Sequence, residues 1–158
     1  MIFITLGSQK FQFNRLLQVV DELIEKGVIE ERVFAQIGYS DYKPKNYEYK
    51  EFLDRDEFIA EEGKCDILIT HGGTGAIIGA VKKGKKVIAV PRLAKYGEHV
   101  DDHQLQLIAQ FKEQNLICGL KDCSELEDGL KYVEGHTFDE YQSNTQTIIN
   151  SIEEFIGE

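Results

Sequence analysis

The sequence predicts an α/β fold, a doubly wound parallel sheet of about six strands with helices between them. Three observations carry that expectation. Short apolar runs such as MIFITL (Met1–Leu6), DILIT (Asp66–Thr70) and VIAV (Val87–Val90) lack polar alternation, as strands buried on both faces do. Segments of helical period separate the runs: Phe13, Leu16, Leu17, Val20, Leu23 and Ile24 fall on one face of a helix. Glycines stand where two of the strands hand over to helices, at Gly7 and at Gly72, Gly73 and Gly75.

Taken in order, strand Met1–Leu6 leads through Gly7, Ser8 and Gln9 to helix Phe13–Lys26, which Gly27 stops. Val33–Ile37 is the second strand, ended by Gly38, and Tyr39–Asn46, with Pro44, is a loop. Tyr47–Leu53 reads as a third strand, after which Asp54 is placed to cap a short helix, Asp56–Glu62. Strand Asp66–Thr70, helix Ala76–Lys83 and strand Val87–Val90 follow, the last closed by Pro91. The loop Leu93–Val100 precedes helix Asp102–Asn115 and a short strand, Leu116–Cys118. Ser124–Val133 and Phe138–Ile156 are the closing helices. The 158 residues, 42% of them hydrophobic, suit a single domain spanning 1–158.

The turn His71-Gly72-Gly73-Thr74-Gly75 points to a ligand. Glycines let backbone approach a ligand closely, and the helix after them directs free N–H groups and the positive end of its dipole into the turn. A phosphate suits that environment. The Gly7 turn opens at the same carboxyl edge of the sheet, where ligands of open α/β folds bind, so two such turns facing one crevice suit a diphosphate. Among the cations around the central turn and the following strand, Arg92 stands at a strand end and is the functional candidate. Lys82, Lys83, Lys85 and Lys86 read as the solvated end of a helix.

Composition narrows the partners. A net charge of −10 argues against a nucleic-acid surface and against unaided docking on an anionic bilayer. No run reaches the roughly 18 apolar residues of a membrane span, and no secretory signal precedes the first strand. Cys65, Cys118 and Cys123 are an odd set without metal-ligand spacing, so reduced thiols are expected. Asp54-Arg55-Asp56 has the form of a metal-binding DxD, but helix capping explains it. Likewise His99 and His103, with Glu98 and Asp101, could imitate a metal site, yet a helix start across Val100–Asp102 leaves His99 in the loop. His71 could bond a phosphate or brace its loop. Neither a metal nor another cofactor is expected.

The segments ILITHGGTGAI, KGKKVIAVPR and EHVDDHQLQLIAQF, at these spacings, resemble the C-terminal, donor-binding half of a GT-B glycosyltransferase, a Rossmann-like domain, and specifically glycosyltransferase family 28. That family includes the N-acetylglucosaminyltransferase of lipid II synthesis and the small catalytic subunits of two-component transferases acting on lipid-linked sugars. The resemblance runs from ITLGSQ through the closing helix. It implies that Gly7, Ser8 and Gln9 face the nucleotide diphosphate, and that the backbone of Phe52 and Leu53 reads the uracil edge. It implies that Gly73, Thr74 and Gly75 hold a phosphate, and that Gln104, with Asp101 and His103 beside it, meets the donor sugar. One departure stands out: many members carry an acidic residue for the ribose hydroxyls four residues after the last turn glycine, and here that position is Gly79.

The resemblance further implies an inverting hexosyltransferase dependent on a UDP-sugar. UDP-galactose is the specific expectation for the donor, with UDP-GlcNAc and UDP-glucuronate as alternatives. The acceptor is a lipid-diphosphate-linked sugar of capsule or exopolysaccharide synthesis. A GT-B enzyme has a second half that binds acceptor and supplies the base, so a membrane-anchored partner subunit is expected, holding this chain at the cytoplasmic face. Glu98 and Asp101 are carboxylates with catalytic potential, though the base is expected from the partner. A non-catalytic nucleotide-sugar sensor on the same fold is the rival reading.

Overall fold

Strands β1 (Ile2–Thr5), β2 (Val33–Gln36), β3 (Glu48–Lys50), β4 (Ile67–Thr70), β5 (Lys86–Ala89) and β6 (Cys118–Gly119) form one parallel sheet in the order β3-β2-β1-β4-β5-β6. The structure, a computed structural model, describes residues 1–7, 10–99 and 102–140. Ser8, Gln9, Val100, Asp101 and residues 141–158 lie outside that description. Between the strands run helices α1 (Asn14–Glu25), α2 (Arg55–Lys64), α3 (Thr74–Lys82), α4 (His103–Glu113) and α5 (Leu126–Gly135).

Alternation along each strand divides the core into two layers. Ile2 and Ile4 of β1 and Ile69 of β4 pack with Leu16, Leu17 and Val20 of α1 and with Leu126, Leu130 and Val133 of α5. Phe3, Leu68 and Val87 point the other way, to Ile77 and Ala80 of α3 and Ile108 and Phe111 of α4, with Phe58 of α2 against the same layer. Each fully buried side chain of this size contributes roughly 1.5–3 kcal/mol relative to exposure. The apolar runs are continuous because the inner strands are covered on both faces, as the Rossmann-like expectation requires.

Several boundaries differ from the sequence expectation. The third strand shrinks to Glu48–Lys50 and is exposed throughout, because it is an edge strand paired only with β2. Helix α3 begins at Thr74, earlier than Ala76, which makes Gly73 the N-cap and places Gly75 in the first turn. The sixth strand moves to Cys118–Gly119, where Gly119 allows close approach of Ile108: an added Cβ would stand 2.7 Å from its Cγ2. The helix expected at Ser124–Val133 splits into a 3-10 turn, Cys123–Glu125, and α5, since Asp122 accepts from Ser124 N at 3.0 Å and caps the turn first. Another 3-10 turn, Ala94–Tyr96, interrupts the expected loop 93–100. Of the closing helix expected at Phe138–Ile156, residues 138–140 are not helical and the rest lies outside the described residues. No helix among the described residues is long and apolar enough to cross a membrane.

The loop before β3 is pinned from α1. Asp21 accepts from Tyr42 Oη at 2.5 Å, from Asn46 N at 2.9 Å and from Lys45 N at 3.0 Å. Burial pushes the Asp21 carboxyl up, but these bonds outweigh it and hold the group below its ordinary range.

Asp54 caps α2 as expected. Its Oδ1 accepts from Glu57 N at 2.8 Å while Glu57 Oε1 accepts from Asp54 N at 3.4 Å, a capping box. Replacing Asp54 by Ala should lower unfolding stability by about 1 kcal/mol, whereas Asn, an equally good cap, should retain most of it. Urea denaturation of the two variants checks this; equal losses would show that the charge matters rather than the cap.

Candidate functional site

The strand order reverses between β1 and β4, so the crevice outside their carboxyl ends is the topological switch point of the sheet. Thr70 Oγ1 donates to Thr5 O at 2.8 Å and ties the two ends together. Beyond them the chain turns through Gly7, in the left-handed region at φ +73°, and through His71-Gly72-Gly73. The glycines are needed for packing. A Cβ on Gly7 would stand 2.9 Å from His71 Nε2, and one on Gly73 2.6 Å from His71 Cε1. A Cβ on Gly72 would meet Gln104 Cβ at 2.6 Å. The His71 ring is therefore wedged between the two turns.

A hydrogen-bond network fixes that ring. Gln104 Oε1 accepts from Arg92 N at 2.9 Å and from Gly72 N at 3.3 Å. This leaves the Gln104 amide nitrogen as the donor toward His71 Nδ1, 3.2 Å away, and assigns the imidazole proton to Nε2. Burial first, then the Arg92 charge and His99, pushes the His71 pKa down from 6.5 to about 3. The imidazole is thus neutral and braces the turns. Gln104, which the resemblance assigns to the donor sugar, is itself buried and joins the β4 turn to the end of β5.

Arg92 anchors the first glycine loop from below. It is 1% exposed, and its Nη2 donates to Leu6 O at 2.7 Å and to Phe11 O at 3.1 Å, one carbonyl on each side of the loop. Burial pushes its pKa down to about 10, against the pull of Glu98, so it remains a cation at neutral pH. Its Nε and Nη1 are buried without a hydrogen-bond partner among the described residues. Glu98 is spent elsewhere: its Oε2 accepts from Arg15 Nε at 3.0 Å and its Oε1 from Leu93 N at 3.0 Å and Arg15 Nη2 at 3.1 Å. A buried carboxylate held on both oxygens is an anchor for the Leu93 loop, and its role as a base is set aside.

The two helix N-termini are unequal. α1 starts seven residues past Gly7, and its leading N–H groups are taken: Phe13 N donates to Ser40 Oγ and Asn14 N to Gln12 Oε1, both at 2.9 Å. α3 opens directly from its glycine turn. No side chain caps it, and the N–H groups of Gly75 and Ala76 have no acceptor among the described residues. Beside it lies a cavity of about 680 Å³ whose lining includes Thr5, Gly7, Gln36, Leu53, Gly75 and Gly79. Gly75 meets no atom within 4 Å of an added Cβ, so packing does not require it; the space in front of it belongs to the cavity.

The expected residues divide accordingly. Gly7, Leu53 and Gly75 line the cavity; His71, Gly72, Gly73, Gln104 and Arg92 form the support behind the turns. Thr74 is fully buried at the start of α3, and Phe52 stands outside, 43% exposed and edge-on to Tyr39 at 5.2 Å. His103 opens α4, while Ser8, Gln9 and Asp101 lie outside the described residues. The lysines after α3 sit at its far end, where Lys83 pairs with Glu62, Lys85 Nζ donates to Gly63 O and Lys86 Nζ to Val133 O. Sequence reasoning missed Gln36, Phe58, Ile59 and Glu62 in the cavity wall. Gln36 carries a faint signal, a polar residue ending a buried run; the others needed the docking of α2.

The depressed His71 pKa has a consequence for stability. As pH falls below 6.5 the unfolded chain takes up a proton there that the folded chain refuses until about pH 3. Stability should therefore fall with acidification across that window, by up to about 1.4 kcal/mol per pH unit from this group. Chemical denaturation at pH values from 7.5 down to about 5 should show that slope in the wild type and lose it in His71→Gln. Equal slopes would place the proton uptake on other groups.

The profile of the Glycosyltransferase family 28 C-terminal domain matches residues 1–156. Among solved structures the fold is similar to that in "Crystal Structure Analysis of the Glycotransferase of kitacinnamycin", with a TM-score of 0.62 at 14% identity. That likeness covers 97% of this chain and 38% of the other, so the chain spans well under half of that protein's length. No curated protein matches the chain. At 14% identity the structural neighbour speaks to fold alone, and the family follows from the profile across nearly all of the sequence. The chain belongs to glycosyltransferase family 28 and carries its C-terminal domain.

Proposed function

We propose that this domain binds the UDP-sugar donor of an inverting glycosyltransferase, and that UDP-galactose is the donor. The observation that carries the reading is the uncapped N-terminus of α3, which opens from the braced glycine turn into the cavity at the switch point. Backbone N–H groups and the helix dipole supply an anion site there that suits the donor diphosphate. Gly7 lines the same cavity, and Arg92 places a buried positive charge behind the first loop.

In the proposed reaction an acceptor hydroxyl loses its proton to a general base and attacks the anomeric carbon. The bond from that carbon to the diphosphate oxygen breaks, and UDP leaves. Negative charge grows on the diphosphate, where the α3 N–H groups are already oriented and Arg92 adds a buried positive charge behind the first loop, so little reorganisation is needed in the transition state. Glu98 is committed to Arg15, and Asp54 caps α2. Both commitments favour a base supplied by an acceptor-binding partner. That partner is proposed to be a membrane-anchored subunit presenting a lipid-diphosphate-linked sugar for capsule or exopolysaccharide synthesis. The domain would thus work at the cytoplasmic face of the membrane.

Three experiments test this. Calorimetric titration should show UDP binding that survives EDTA; loss on chelation would replace the helix-dipole account by a metal bridge. Gly75→Ala should leave stability unchanged or raise it by up to about 1 kcal/mol, since Ala favours helix over Gly. The same change should weaken UDP at least about 5-fold by filling the space in front of α3. Undiminished affinity would move the diphosphate away from that helix. In a transfer assay, sugar should reach a lipid-linked acceptor only when membranes carrying the partner are added. Robust transfer by the purified chain alone would overturn the two-subunit arrangement.

A further inference from the structure

The cavity beside α3 holds one carboxylate that the reading so far leaves unused. Glu62, on α2, is 3% exposed and lines the cavity wall. Its Oε1 is paired with Lys83 Nζ at the end of α3. Its Oε2 has no protein partner among the described residues and faces Gly79, where an added Cβ would stand 3.9 Å from it. That separation is ordinary van der Waals contact, so a methyl would fit at position 79, while a longer side chain would fill the space in front of the oxygen.

The chemistry changes along α3. Gly75 and Gly79 are one turn apart on the same helix face, about 6 Å along the axis, and both line the cavity. The Gly75 end offers uncapped N–H groups to an anion. One turn on, the Glu62 carboxylate repels phosphate and accepts only from hydrogen-bond donors. The rest of the wall includes the apolar Leu53, Phe58 and Ile59. A ligand with phosphate, hydroxyl groups and a flat apolar face meets all three kinds of wall. A nucleoside diphosphate bound through its ribose diol has those parts.

The geometry points to Glu62 as the residue that accepts the ribose hydroxyls of the donor nucleotide, its carboxylate reaching in from α2 across the gap left by Gly79. Lys83 acts as a positioning residue that turns one oxygen away and leaves the other forward. This inference rests on the donor-site reading above, and the test separates the two. Titrations compare UDP with 2′,3′-dideoxy-UDP on wild type, Glu62→Ala, Glu62→Gln and Lys83→Met, with thermal unfolding as a check that each variant is folded. The wild type should favour UDP by about 10-fold or more, the scale of hydrogen bonds to a charged acceptor. Glu62→Ala should bring the two ligands to within about 2-fold. Glu62→Gln, which keeps the shape of the side chain and covers the case of an unfolded Ala variant, should at least halve the ratio. Lys83→Met releases the Glu62 carboxylate and should lower the preference at least about 2-fold while leaving the affinity for 2′,3′-dideoxy-UDP unchanged; an unchanged preference would overturn the positioning role of Lys83. A ratio unchanged in both Glu62 variants, or a wild type that binds both ligands equally, overturns the role of Glu62 and leaves the donor site standing. A wild type that binds neither ligand overturns the donor site itself.

Discussion

A neutral imidazole pressed between two glycine turns is the constraint on which the carboxyl edge of this protein depends. His71 occupies the space that Cβ atoms on Gly7 and Gly73 would need, so both turns must be glycine and both must close on the ring. That is possible only because β1 and β4 are neighbours in the sheet. The ring must also be uncharged, since an imidazolium buried beside Arg92 would lack solvation and meet a like charge. Gln104 completes the arrangement: its carbonyl takes the N–H groups leaving β4 and β5, and its amide fixes the imidazole tautomer. One side chain from α4 thus sets the positions of two strand ends.

Charge around this centre is handled by burial and pairing rather than by exposure. Arg92 reaches the carbonyls on both sides of the first loop, and Glu98 holds the Leu93 loop while accepting both prongs of Arg15. Removing one member of such a buried pair leaves the other uncompensated, which makes these contacts strong determinants of loop position. A chain of net charge −10 still presents backbone N–H groups at an uncapped helix end and, behind the first loop, a buried guanidinium. The exposed lysines contribute little there; they sit at the opposite end of α3.

The cavity itself is made by two helices on the same side of the sheet. α3 supplies one wall with its uncapped N-terminus, while α2 supplies Phe58, Ile59 and Glu62. The capping box at Asp54 sets where α2 begins and hence where Phe58, Ile59 and Glu62 stand in the cavity wall. Secondary structure, support and ligand wall are linked through one short helix.

Much of this was legible in the sequence. The strand runs, the glycine turns, the capping of α2 by Asp54 and the family resemblance depend on residues a few positions apart, where local backbone geometry decides the outcome. The sheet edge at β3 was overextended because alternation cannot tell an exposed edge strand from a covered one. His71 showed itself as near the ligand turn, but its bracing role depends on Gln104, 33 residues away, and on a Gly7 that only sheet pairing brings near. Glu98 resembled a free carboxylate until Arg15, 83 residues earlier, was placed beside it. The sequence by itself determined the α/β class, the family and the glycine turn that opens onto the cavity, since these rest on local pattern. Only the tertiary structure decided which polar groups are consumed by one another and which, like Glu62 Oε2, still face open space, because that depends on contacts between elements distant in the chain.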